Sequence, residues 1–229
     1  MWLIDQVGTM GPVHVYVSAN ALRADIPEHG VRIIAKNPDW NVIFLNDQQK
    51  LRLDMPLNIF GDRGFAWQYY PPGDLKIPVY DSKSERTKFA GLSALRFTSF
   101  DSRAGHLDSG TVFSKPPKLI KAELIYTNKI AGVPPAATKF MGGIYGMNLC
   151  KDVPLQFCLY GTDRRHRIMY TKEVKEVSEP QSFFDYPNGY KATNDQWRIM
   201  LRPGQQDEIN SMGSLFENDA NHSAVPAKH

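Results

Sequence analysis

Few residues in this chain have the types and spacing that catalysis requires. His106, Asp108 and Ser109 lie within four positions of one another in a polar stretch, and they are the side-chain types of a nucleophilic triad. A triad is assembled in space from separated segments, so neighbours on one loop rarely reach its geometry. A Gly-x-Ser-x-Gly nucleophile elbow is absent. We therefore expect the protein not to be an enzyme, and a hydrolase built on His106 is the third alternative.

Metal and cofactor chemistry has no clustered candidates in the sequence. A metal site needs two to four close His, Cys, Asp or Glu ligands. The six histidines are scattered along the chain: His14, His29, His106, His166, His222 and His229. No lysine stands in a Walker position after a glycine-rich loop. The sequence predicts neither a metal nor a cofactor.

The densest charge cluster is the basic turn at Arg164, Arg165, His166 and Arg167. Guanidinium groups are forked donors that can hold a phosphate, a carboxylate or an anionic surface. Arg164, Arg165 and Arg167 are therefore candidates for anion or partner contact. A solvated hairpin end explains the cluster equally well, because charged tips keep sheet edges soluble.

The two cysteines, Cys150 and Cys158, lie eight positions apart. In an oxidising compartment they could form a disulfide that closes a short loop and stabilises the fold by roughly 2–3 kcal/mol. Two unpaired thiols, one in a loop and one in a strand, are the open alternative.

Composition narrows the class of partner. The chain has 27 Lys and Arg against 24 Asp and Glu, a net charge of +3, and it carries no nucleic-acid-binding signature. We expect no nucleic-acid partner. No apolar run is long enough for a transmembrane helix. Met1 is followed closely by Asp5 and Gln6 in place of a secretory signal.

The elements that must position these residues are mostly strands. Apolar runs at Val31 to Lys36, Asn41 to Leu45 and Lys50 to Asp54 are joined by Asn-, Asp- and Pro-containing turns, a pattern typical of consecutive hairpins. Val13, Val15 and Val17 alternate with polar residues, which predicts a strand with one buried face. Val42 to Leu45 is apolar on both faces, and we expect both to be covered.

One helix is predicted where Pro134 and Pro135 precede Ala136 to Met147, since proline favours a first helical turn. Its glycines weaken it, so packing must hold the segment. The helix and two strands would form an apolar groove of eight residues: Leu124, Tyr126, Leu155, Phe157 and Leu159 with Phe140, Met141 and Ile144. A filled core is the alternative, because apolar stripes usually serve packing alone.

Three stretches carry a family likeness. They are Val15 to Val42, Ala122 to Met147 followed by Val153 to Phe157, and Ser182 to Phe184 with Pro187 to Tyr190. Their order resembles the LolA-like bacterial proteins, lipoprotein-related domains in which an unclosed β-barrel surrounds a helix. The resemblance implies a curved antiparallel sheet whose apolar face is covered by the helix. It also implies an exported protein without cofactors that binds acyl chains or protein partners. The compartment would be periplasmic or extracellular if a signal has been removed, and is otherwise open.

Together these features predict a mainly β (α+β) protein, with residues 1–203 as a single antiparallel domain and 204–229 as a polar, flexible tail. We expect Trp197, Ile199 and Leu201 to form a last strand. The predicted function is a non-enzymatic extracytoplasmic binding protein that shelters a lipid or acyl chain. The alternative is an accessory subunit that docks on a larger assembly through a sheet edge, the aromatic loop 60–70 and the tail.

Overall fold

The computed structural model describes residues 1–63, 84–100, 119–146, 152–161, 165–201 and 204. Within these residues the protein is mainly β, and its strands join in one sheet. The strands are β1 (Trp2–Gly8), β2 (Gly11–Val17), β3 (Ala21–Ile26), β4 (Val31–Lys36), β5 (Val42–Asn46), β6 (Leu51–Met55), β7 (Ser84–Phe89), β8 (Leu92–Phe100), β9 (Leu119–Thr127), β10 (Val153–Gly161), β11 (Arg165–Glu176) and β12 (Lys191–Ala192). The helices are α1 (Leu57–Arg63), α2 (Pro135–Ile144) and α3 (Gln196–Met200), with short 3-10 turns at Pro27–His29 and Gln181–Phe184.

The sheet consists of two antiparallel meanders joined edge to edge. Strands β1 to β6 pair in chain order, as do β7 to β11, and β1 pairs with β11. Strand β12 adds to β6 in parallel. The order therefore runs β12-β6-β5-β4-β3-β2-β1-β11-β10-β9-β8-β7, and the sheet is not closed. The prediction of a mainly β protein with an unclosed antiparallel sheet is confirmed at this level.

Side-chain alternation explains which face of the sheet is buried. Val13, Val15 and Val17 are fully buried, whereas His14 and Tyr16 between them are half-buried. These valines belong to the main core, which covers what we call the inner face of the sheet. Turn chemistry sets the hairpin after β5, where the Asn46 side-chain oxygen accepts hydrogen bonds from two backbone N–H groups of the following turn.

Strand β5 is buried on both faces, as its sequence predicts. Val42 and Phe44 join the main core, while Ile43 and Leu45 form a second cluster with Ile34 on the outer face. Tyr186 and Tyr190 pack over this second cluster. They lie on the segment between Gln181 and β12, which reaches β6 by parallel pairing.

Two helices pack together beside the core, where the sequence analysis expects one. Phe60 of α1 is buried, and its ring centroid lies 5.6 Å from that of Phe44 and 5.2 Å from that of Phe140 in α2. A Cβ at Gly143 would lie only 2.8 Å from the Phe60 ring. The glycines that weaken α2 as an isolated helix thus let α1 approach closely. The covering layer therefore includes α1 as well as α2.

The prediction of a last strand at Trp197, Ile199 and Leu201 is wrong. Residues 196–200 form α3. Asp195 caps its N-terminus, and the Asp195 side chain accepts a hydrogen bond from the Arg198 backbone N–H at 3.0 Å. Ile199 and Met200 are buried in the main core. An alternation of three apolar residues is too short to separate a strand from one helical turn, so the N-terminal cap and the burial decide.

A hydrogen-bonded polar cluster lies inside the core. The Gln6 side chain is fully buried and donates to the Pro154 carbonyl at 2.9 Å and to Thr171 Oγ1 at 3.2 Å. Its Oε1 accepts from the Tyr145 hydroxyl at 3.1 Å. Burial raises the pKa of Tyr145 far above its ordinary value, so the phenol stays neutral and remains a donor.

Several predicted features lie outside the described residues. They include His106, Asp108 and Ser109, the loop from residue 64 to 83, and the tail from residue 205 onward. Cys150 and Arg164 also lie outside them, as does Met147 at the expected end of the helix.

Candidate ligand-binding cleft

The eight predicted groove residues come together, but they pack as an interior. Phe140, Met141 and Leu155 are fully buried, and all eight belong to the main core. Tyr126 is the most exposed of them at 9%. The groove and the filled core both stay predictions for seven of these positions, whereas Tyr126 also borders an open cleft.

This cleft lies beside the β7–β8 hairpin and the end of β9, near the unclosed margin of the sheet. Its volume is about 690 Å³. Small-molecule sites typically enclose roughly 300–1,000 Å³. The lining residues are Arg86, Thr87, Lys88, Ser93, Ala94, Leu95, Tyr126, Thr127, Asn128, Lys129 and Asp152.

One wall of the cleft is apolar and continuous with the core. Tyr126 is a buried member of the main core, and Leu95, its pair on β8, is half-buried. The Tyr126 ring packs against Phe97, with centroids 5.0 Å apart. An apolar group entering the cleft would thus meet the edge of the core instead of solvated side chains.

The base of the cleft is held by the side chain of Thr127. Its hydroxyl donates to the Ser93 carbonyl at 2.8 Å and accepts from the Lys129 backbone N–H at 3.1 Å. These bonds join the start of β8 to the chain leaving β9. They fix the backbone position of Lys129 at the cleft.

The cleft carries more positive than negative side chains. Arg86, Lys88 and Lys129 line it with one carboxylate, Asp152. Arg86 and Lys88 are exposed on β7. Within the described part of the chain, none of these three cations forms an ion pair with a carboxylate.

Sequence reasoning missed these three cations. The sequence analysis predicts no strand there, whereas residues 84–89 form β7. The signal in the sequence was Gly91, because residues 90 and 91 form a two-residue hairpin turn in which both adopt positive φ, 48° and 78°. A polar strand before such a turn places residues 86 and 88 on one face.

The arginines of the basic turn that the structure describes lie against aromatic rings. Arg165 and Arg167 are exposed. The Arg165 guanidinium lies 5.5 Å from the centroid of the Tyr160 ring, and that of Arg167 lies 4.5 Å from the centroid of Tyr170. Each guanidinium stacks on an aromatic ring of the outer face. Anion contact by these arginines stays a prediction.

Cys158 is fully buried in β10, and its sulfur accepts a hydrogen bond from Arg165 Nη2 at 3.2 Å. Because Cys150 lies outside the described residues, pairing of the two cysteines stays a prediction.

The described histidine side chains have separate partners. His14 Nδ1 lies 3.0 Å from Asp5 Oδ1, and His29 Nδ1 lies 2.8 Å from the Met200 carbonyl oxygen.

Two features of the described ranges concern metals and membranes. No three His, Cys, Asp or Glu side chains there come together as metal ligands would. No helix in the same ranges is both long and apolar enough to cross a membrane. Docking through the aromatic loop stays a prediction, because that loop lies almost entirely outside these ranges and Phe60 at its start is buried in the core.

Comparisons with known proteins leave the family open. No protein-family model matches the chain, and a search of curated proteins finds no match. Among solved structures, an uncharacterized conserved protein from Thermus thermophilus is similar, with 11% sequence identity and a TM-score of 0.45. The match covers 84% of this chain and 88% of that one. A TM-score this low supports no inference about family or function, and the LolA-like resemblance stays a prediction.

Proposed function

We propose that the protein is a non-enzymatic binding protein that holds an apolar ligand, such as a lipid or acyl chain. The observation that supports this function is the cleft of about 690 Å³ whose apolar wall continues into the main core. Leu95 and Tyr126, which share a face of the sheet, form that wall. We place the ligand in this cleft because it is open, whereas the residues of α2 and β10 that the sequence analysis singles out are buried.

Burial of an acyl chain against this wall would supply the affinity. Each buried methylene contributes about 0.8 kcal/mol, and the loss of translational and rotational freedom offsets much of the sum. A single acyl chain binds a bilayer with an association constant of about 10⁴ M⁻¹. This association constant corresponds to a dissociation constant of about 100 μM, and we expect a similar value for an acyl chain in the cleft.

The first test uses an uncharged probe, so that it measures apolar binding alone. N-phenyl-1-naphthylamine becomes fluorescent in apolar surroundings, and we expect saturable fluorescence when it is titrated with the full chain. Leu95→Gln should weaken this binding because Leu95 lines the cleft. Leu92→Gln is the matched control, since Leu92 is a half-buried leucine of the same strand that does not line the cleft.

Native mass spectrometry of the purified chain gives an independent measurement. Co-purified lipid would appear as added mass that is lost on activation. If the protein is apo by mass and the probe shows no saturable fluorescence, the proposed function is wrong. Equal weakening by both leucine variants would place the site elsewhere on the sheet.

A further inference from the structure

We propose that the ligand of the cleft is an amphiphile with a negatively charged head, and that Arg86, Lys88 and Lys129 select it. This inference rests on the proposed function, and it adds the charge and orientation of the ligand. It follows from the arrangement of charged and apolar side chains across three neighbouring strands.

The strand register arranges cation and apolar side chains in one row. Arg86 of β7 pairs with Leu95 of β8, and Leu95 pairs with Tyr126 of β9. Directly paired residues of adjacent strands share a face of the sheet. Along this row the exposed guanidinium at the sheet margin gives way to a half-buried leucine and then to a buried tyrosine.

A second cation follows the same pattern. Lys88 lies two positions after Arg86 on β7, so it shares the face of Arg86, and it pairs with Ser93. The Ser93 carbonyl accepts the Thr127 hydrogen bond, and Thr127 also holds the backbone of Lys129. The three cations are thus tied to the margin of one cleft by strand pairing and by one buried threonine.

The balance of charge favours an anion as the head group. Three cations and one carboxylate line the cleft, and the described residues offer those cations no carboxylate partner within ion-pair distance. Forked and rotatable N–H donors suit carboxylate and phosphate oxygens. A ligand would place its head at β7 and its chain toward Tyr126.

The experiment compares four probes by calorimetry with the full chain: decanoate, 1-decanol, decyl phosphate and inorganic phosphate. Exposed ion pairs each change affinity only modestly, so three cations should favour decanoate over 1-decanol by about tenfold. Added salt should weaken decanoate binding and leave 1-decanol binding unchanged, because screening acts on charge alone. Inorganic phosphate should bind more weakly than decyl phosphate.

Charge-neutral variants test the three residues directly. We expect the double variant Lys88→Gln with Lys129→Gln to weaken decanoate binding by about 3- to 10-fold and to leave 1-decanol binding unchanged. Lys172→Gln is the matched control, because Lys172 is an exposed lysine of β11 that does not line the cleft. Both lysines of the double variant are surface groups, and circular dichroism checks that the variants fold.

The outcomes separate the two proposals. Equal affinity for decanoate and 1-decanol overturns the selection of an anionic head while the binding function stands. Failure of both to bind overturns the function and the inference together. If inorganic phosphate binds as tightly as decyl phosphate, the apolar chain contributes nothing, and the amphiphile is the wrong ligand class.

Discussion

Replacing Gly143 by alanine tests the contact between α1 and α2. The added Cβ would lie 2.8 Å from Phe60 Cε1 and 3.0 Å from the Phe60 carbonyl oxygen. Phe60 is 1% exposed and its ring is held between Phe44 and Phe140, so it has little room to move. Because one of these contacts is with a backbone atom, α1 as well as the ring must give by a few tenths of an ångström.

Two opposing effects set the magnitude of this change. Alanine is favoured over glycine in a helix interior by about 1 kcal/mol. Overpacking a filled core costs about 1–3 kcal/mol, and contact with a backbone oxygen places Gly143→Ala near the upper end. We expect a net loss of about 1–2 kcal/mol in the free energy of unfolding. With a urea m-value of about 2 kcal/mol/M, the midpoint should fall by about 0.5–1 M.

Urea unfolding followed by circular dichroism measures this loss, and a second substitution checks its cause. Phe60→Leu shortens the side chain that the new methyl group meets. In that background Gly143→Ala should cost about 1 kcal/mol less than in the natural chain, a coupling that a double-mutant cycle detects. Stabilisation by Gly143→Ala alone would refute the close approach of the two helices.

Three further predictions concern buried or capped groups. Tyr145→Phe should lower the free energy of unfolding by about 1–2 kcal/mol, because the buried Gln6 oxygen loses its hydrogen-bond donor. Urea unfolding measures this loss, and an unchanged midpoint would contradict the buried polar cluster. Burial is the main cause, and a hydrogen bond to Asp47 the second, that raises the pKa of Tyr190 from 10.0 to about 12. The neutral phenol therefore stabilises the fold below pH 10, and this stabilisation is lost as the pH rises through 12. Tyr190→Phe should therefore reduce the fall in stability between these pH values, as alkaline unfolding followed by circular dichroism would show, and an identical fall in both proteins would contradict it. Asp195→Ala should cost about 1 kcal/mol in thermal unfolding by removing the cap of α3, and Asp195→Asn should restore most of it.

Local patterns in the sequence determined the strands and turns of the first meander. A strand has a side-chain period of two, so the valines at 13, 15 and 17 mark its buried face without knowledge of the partner strand. The turn at Asn46 is equally local, because one side chain accepts hydrogen bonds from residues two and three positions later. The double-sided burial of β5 also follows from its composition.

Contacts between distant segments decided the last helix, the packing of the groove candidates and the position of the cleft. Residues 196–200 became a helix because distant parts of the core bury Ile199 and Met200, and the local cap at Asp195 then supports the first turn. The eight groove candidates could line a cavity or fill a core with the same apolar pattern, and only packing around α1 and α2 separates the two. The cleft depends on pairing of β7 with β8 and of β8 with β9, which brings residues about 40 positions apart into one row. Hydrophobic periodicity carries no information on such neighbours, so the candidate site became visible only in the tertiary structure.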